Sequence, residues 1–296
     1  MYKRQTLHRG RVDALDGVLI VYVHPLTGRI LGQVASTGGW LSLVERLHVD
    51  LLLKRNGRQW NGVAAAVLSA LVLSGILLWW PGVKQWTRGF KVDLRRTWKR
   101  INWDLHSAAG IWTVFFTLTW AVTGMYFAWP APFESTLQAL SPIVTARYPE
   151  AEMTRIAARP APPNTLSTFH LQPVLEEAER QTPGERLEGV FFASESNAVF
   201  TVYRARAHLG DYANTDFLYF DPHTGQLLFT WHRGVNHTLG DWILWSFVPL
   251  HFGTSWGLAG KILWAAMGLG LPILALSGFL MYWNRWLGKR LRRLAR

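Results

Sequence analysis

The sequence predicts a membrane protein, mainly an α-helical transmembrane bundle joined to α+β extracytoplasmic regions and built on an internal duplication. Three observations carry that prediction. The first is a repeat. The stretch Leu250–Trp283, LHFGTSWGLAGKILWAAMGLGLPILALSGFLMYW, has a gap-free counterpart 203 residues earlier at Leu47–Trp80, LHVDLLLKRNGRQWNGVAAAVLSALVLSGILLWW. Leu-His opens each copy, Ser74 and Ser277 each follow the His by 26 positions within Leu-Ser-Gly, and Trp80 and Trp283 close them, so one unit has been duplicated.

The second observation is three apolar runs, Gly62–Trp80, His106–Trp129 and Gly260–Trp283, near the ~20 residues that cross a ~30 Å hydrocarbon core. Each ends in Trp, which suits an aromatic belt at the interface. The third is the placement of charge. Seven Lys/Arg and two acids lie between Pro81 and Leu105, and six Lys/Arg and no acid between Asn284 and Arg296, whereas Pro130–Ala259 holds eight Arg against thirteen Asp/Glu. Basic flanks around an acidic loop are the positive-inside pattern, with Lys54, Arg55 and Arg58 standing against it on the outer side.

Composition agrees. Of 296 residues, 49% are hydrophobic and only 17% charged, with 17 Trp, which excludes a disordered chain. The net charge of +12 does not imply nucleic acid, because the basic residues flank the spans and form no groove-reading motif. The absence of cysteine excludes disulfides, iron–sulfur clusters, thiolate-ligated haem and C-x-x-C-H haem attachment. Metal chemistry must then rest on His, Met, Tyr or carboxylates.

The elements follow in order. Residues 1–41 form a partial extracytoplasmic region; Met1–Leu15 is polar and basic with no apolar core of a signal peptide. Gly17–Val34 reads as two strands around the turn Pro25-Leu26-Thr27-Gly28. Residues 42–80 hold a short amphipathic helix with His48 and then a span. Residues 81–105 are a basic cytoplasmic connector and 106–129 the next span, with His106 at its inner end. Residues 130–240 form the second extracytoplasmic domain: a loop-rich Ala131–Pro163, a helix near Leu171–Arg180, strands near Leu187–Ala193, Ala198–Arg204 and Phe217–Phe220, and a second hairpin, Asp216–Trp231, turning at Asp221–Gly225. Residues 241–283 repeat the His helix, now with His251, and the span. Residues 284–296 are a basic cytoplasmic tail.

The duplication also predicts a helix equivalent to Trp98–Trp129 ahead of the first hairpin, so the chain reads as a piece of a four-span protein. Gly253-Thr254-Ser255-Trp256-Gly257 fits G-x-S-x-G, but that motif needs a strand before it, and here it joins two helices. H-E-x-x-H, P-loop and G-x-G-x-x-G patterns do not occur.

The order of W-D-L-H-S-A-A-G at Trp103–Gly110, the paired L-H…L-S-G…W units and the hairpins with P-x-T-G turns resembles the PepSY-associated transmembrane family. The resemblance implies a four-span bacterial inner-membrane protein with two periplasmic PepSY-like regions; this chain has three spans. Some members are haem-containing reductases that release iron from ferric siderophores in the periplasm, an activity the resemblance implies here; with no nucleotide or flavin motif in the sequence, electrons would come from a cytoplasmic or membrane donor.

Against that background, the histidines suit haem b. Neutral imidazoles from facing helices are its axial ligands. His48 and His251 hold equivalent positions in the two repeats, so a pseudo-two-fold axis would bring them to one outer haem. By the same symmetry His106 would face a His on a further span at an inner haem, and one or two haems would divide the crossing into shorter electron hops. The alternative at each position is a helix-end cap or an interfacial hydrogen bonder. His8, His24, His170, His208, His223, His232 and His237 read as loop or surface residues. Ser74-Gly75 and Ser277-Gly278 read as helix-packing positions. The expected activity is outward electron transfer to a periplasmic ferric siderophore or other ferric chelate. The competing reading is a non-enzymatic, membrane-anchored PepSY module that binds a peptide or protein.

Overall fold

A computed structural model describes residues 3–6, 19–23, 30–35, 39–80, 86–159, 171–191, 199–207, 212–287 and 290. The chain divides into two compact units, Met1–Leu52 with Glu134–Ser246, and Leu53–Phe133 with Phe247–Arg296.

In the first unit, β1 (Lys3–Thr6), β2 (Leu19–Val23) and β3 (Ile30–Ala35) form an antiparallel sheet in that order. β2 and β3 are the strands expected of the first hairpin; its turn, and His8, His24, His170 and His208, lie outside the described residues. β1 falls in the segment read only as polar and basic. Helix α1 (Trp40–Asp50) follows and stops because Leu51 turns left-handed, φ 51°, while the Asp50 carboxylate accepts the Leu52 N–H at 3.0 Å.

The second sheet is the meander β4 (Arg186–Phe191), β5 (Phe200–Ala205), β6 (Thr215–Phe220) and β7 (Leu227–His232), antiparallel throughout. Alternation fixes its faces. Phe200, Val202, Leu218 and Phe220 pack on Val174 and Ala178 of α6 (Leu171–Gln181). Val199, Tyr219 and Trp231 turn to the other face with Ile156 of α5 (Glu150–Ala157). The β6–β7 turn is where the sequence places it: Asp221 accepts the N–H groups of His223 at 2.8 Å and Thr224 at 3.0 Å, and Gly225 takes φ 70°. Ala131–Pro163 is less loop-like than expected. It holds α4 (Pro130–Leu140) and α5, and the prolines are tolerated because Pro130 and Pro132 fall in a first turn, whose N–H groups have no helical partner.

Helix α7 (Leu239–Phe252) begins in this unit, and its start is strongly fixed. Thr238 caps it, its hydroxyl accepting the Asp241 N–H at 3.0 Å. The fully buried Asp241 carboxylate accepts N–H groups from Val144, Thr145 and Ala146 at 2.8, 2.9 and 3.0 Å and from His237 at 3.2 Å.

The second unit holds the membrane helices. Among the described residues, three helices are long and apolar enough to span: α2 (Lys54–Trp79), α3 (Trp98–Ala128), and Gly257–Leu287. The last is α8 (Gly257–Gly268) and α9 (Gly270–Tyr282), jointed at Leu269 and followed by a π-turn over Trp283–Leu287. α3 starts eight residues ahead of the His106 expected from hydropathy. Its polar first turns are stabilised internally: Arg100 pairs with Asp104 at 2.9 Å, and Asp104 lies within 3.5 Å of the Asp93 N–H.

Small residues set the helix contacts, as in other membrane bundles. A Cβ on Gly62 of α2 would lie 2.6 Å from the Ala128 Cβ, and one on Gly270 would lie 2.4 Å from Thr113 of α3. α3 therefore packs antiparallel against both α2 and α9. A 3-10 turn over Trp86–Phe90 closes the α2–α3 connection: the Trp79 indole donates to the Gly89 carbonyl at 3.4 Å and the Trp112 indole to the Phe90 carbonyl at 3.3 Å.

Candidate functional site

Two of the three candidate histidines belong to the membrane unit, and each is held by a neighbouring helix. His106 lies eight residues into α3, on the face turned toward α9. Its Nδ1 is 2.8 Å from the Ser277 hydroxyl oxygen. One turn earlier on α3, Asn102 donates to the Ser277 carbonyl at 2.9 Å. Ser277, itself 3% exposed, thus grips α3 at two points. Gly278 supplies the space: a Cβ there would sit 3.3 Å from His106 Cε1.

His251 lies at the end of α7, in the part belonging to the membrane unit. Its Nδ1 is 2.7 Å from the Thr123 hydroxyl of α3, and its ring stands edge-on to Phe127 at 5.0 Å and 89°. The carbonyls that the end of α7 leaves without helical partners are taken by two indoles. Trp264 donates to Leu250 O at 2.6 Å and Trp120 to His251 O at 3.1 Å. The chain then turns sharply at Gly253, φ 65°, where a Cβ would fall 2.4 Å from the Trp264 ring. This is the Gly253–Gly257 stretch, and it is a helix–helix turn.

Both imidazoles therefore attach to one helix, near its two ends. His106 and Thr123 are 17 positions apart on α3, about 25 Å at 1.5 Å per residue. One haem cannot bridge them, so they belong to two separate positions along the span. His48 is on α1 in the other unit, exposed, in the last turn of that helix. Among the described residues no three His, Cys, Asp or Glu side chains gather as a metal-binding group. His223 and His237 are exposed in the first unit, and His232 is 2.8 Å from Asp216.

Haem b asks for neutral imidazoles, each offering one ring nitrogen, and a metal-bound His commonly gives its other nitrogen to a protein acceptor. In both His106 and His251, Nδ1 meets a protein hydroxyl, which suits each as a single axial ligand. The sequence reading missed their partners. Ser277 was visible as a repeated Leu-Ser-Gly but read as packing, and nothing in the sequence singles out Thr123 among the hydroxyls of α3.

The sequence profile of the PepSY-associated TM region matches residues 3–285. No curated protein matches the chain.

Proposed function

The chain belongs to the PepSY-associated transmembrane family, and from that premise we propose that it is a haem-b protein of the bacterial inner membrane that carries electrons outward to a periplasmic ferric chelate. The observation that carries the reading is a pair of imidazoles held at two points, His106 and Thr123, about 25 Å apart along α3. That separation is most of a ~30 Å hydrocarbon core. His251 serves the outer position and His106 the inner one. Bound haem would supply one-electron Fe(III)/Fe(II) chemistry; the chain orients both imidazoles and shields His251 with Phe127, Phe252 and Trp120.

One electron from a cytoplasmic or membrane-borne donor reduces one Fe(III) of a siderophore or other chelate to Fe(II). The large loop, residues 130–240, lies in the periplasm in this reading. The test is direct. The haem-loaded chain is reduced with dithionite, freed of excess reductant under anaerobic conditions and mixed with a ferric siderophore. Reoxidation of the haem band with one trapped Fe(II) per electron lost is the expected result. A haem band that stays reduced beside the ferric chelate refutes ferric reductase activity, and a chain without haem leaves the PepSY module as a binding domain.

A further inference from the structure

The two imidazoles share a feature that their sequence surroundings do not. At both, the partner hydroxyl has already used its proton. Ser277 Oγ donates to the Ile273 carbonyl at 2.5 Å and lies 3.2 Å from the Leu274 carbonyl. Thr123 Oγ1 donates to the Thr119 carbonyl at 2.6 Å and lies 3.3 Å from that of Trp120. A hydroxyl carries one hydrogen and two lone pairs, and a carbonyl oxygen can only accept. The hydroxyl proton is therefore committed to its own helix, and towards the histidine the oxygen acts as acceptor.

In that arrangement the ring nitrogen facing the hydroxyl is the one that carries hydrogen. Nδ1, at 2.8 Å in His106 and 2.7 Å in His251, must be the N–H donor. A neutral imidazole has a single N–H, so Nε2 holds the lone pair. The arrangement arises twice by independent routes. At the inner position the His is on α3 and the hydroxyl, a Ser, is on α9; at the outer position the His is on α7 and the hydroxyl, a Thr, is on α3.

We propose that Ser277 and Thr123 are positioning residues that lock His106 and His251 in the Nδ1–H tautomer and so make Nε2 the iron-binding nitrogen. The part concerning iron rests on the haem reading above; the tautomer does not. Hydroxyl acceptors have a further consequence. They pull on the Nδ1–H less than a carboxylate does, so the ligands stay neutral imidazoles with little imidazolate character.

The experiment uses the full chain in detergent, labelled with 15N-histidine and free of haem. Two-bond 15N–1H correlation spectra report each ring's tautomer, with His106→Gln and His251→Gln assigning the signals. The expected result is Nδ1–H at both positions, its loss at His106 in Ser277→Ala and at His251 in Thr123→Val, and its return in Ser277→Thr and Thr123→Ser. Nε2–H at these rings in the parent chain, or a tautomer unmoved by Ser277→Ala and Thr123→Val, overturns the proposal. A haem-loaded sample adds a second readout: each Ala or Val substitution shifts the midpoint potential of one haem only, and the hydroxyl-restoring variant returns it. If the parent chain takes up no haem, the functional reading falls and the 15N spectra still decide the tautomer.

Discussion

Asp241 makes the most quantitative prediction outside the membrane. Its carboxylate is fully buried, and burial alone would raise its pKa. The N–H groups of Ala146, Thr145, Val144 and His237 outweigh that and hold it at about 2, below the ordinary 3.8. At 1.36 kcal/mol per tenfold change in proton affinity, the depression corresponds to roughly 2.5 kcal/mol of stability carried by the ionised form. Because the folded pKa is the lower one, this contribution is complete above about pH 4 and is lost as pH falls through about 2.

Asp241→Asn should remove it at neutral pH. The amide oxygen can still accept from the 144–146 segment, but its NH2 group meets the His237 N–H donor. The expected loss is about 2–3 kcal/mol, on the order of 10 °C in the melting temperature of the first unit. The assay is thermal unfolding of the full chain in detergent followed by tryptophan fluorescence, since Trp231 donates to the Thr145 carbonyl beside this site. Hydrogen exchange of the 144–146 amides gives a local readout, with protection falling in the variant. A melting temperature within about 2 °C of the parent, with exchange unchanged, refutes the reasoning.

Three further outcomes follow from the packing. Gly253→Ala should destabilise the membrane unit by at least about 2 kcal/mol, because it places a Cβ at left-handed φ against Trp264; Gly75→Ala, where a Cβ meets nothing within 4 Å, should be neutral or slightly stabilising by helix propensity. Comparison of the two detergent melting temperatures checks this contrast. Gly62→Leu should separate α2 from α3 at the Ala128 contact and lower the yield of monodisperse protein on size exclusion. Arg204→Ala should cost about 2–4 kcal/mol, since the buried guanidinium donates to the Thr182 hydroxyl and carbonyl, each at 3.1 Å, and pairs with Glu179; urea unfolding of the first unit measures it.

Much of this architecture is legible in the sequence because it is periodic. The three spans, the β6–β7 hairpin and the strands of the first hairpin follow from apolar runs and turn residues. The early start of α3 does not, because Lys99, Arg100, Asn102 and Asp104 read as a solvated connector until Arg100–Asp104 pairing and the Asn102–Ser277 bond are known. Helix α4, with Pro130 and Pro132 in its first turn, and α5, capped by Pro149, hide for a similar reason: proline argues against a helix everywhere except at its start. The histidines stood out through the repeat, but their partners lie 171 and 128 positions away. Serine and threonine in a membrane helix usually bond only to their own backbone, so only the folded chain distinguishes Thr123 and Ser277 from the rest.

The central claim is that these histidines hold haem, and a reduced-minus-oxidised absorption spectrum with the haem-to-protein ratio tests it most directly. The account predicts a b-type spectrum in the purified chain, lost from the outer position in His251→Ala and from the inner position in His106→Ala, with the fold retained. An unchanged haem content in His251→Ala and His106→Ala, or no haem band in the parent chain, would contradict it.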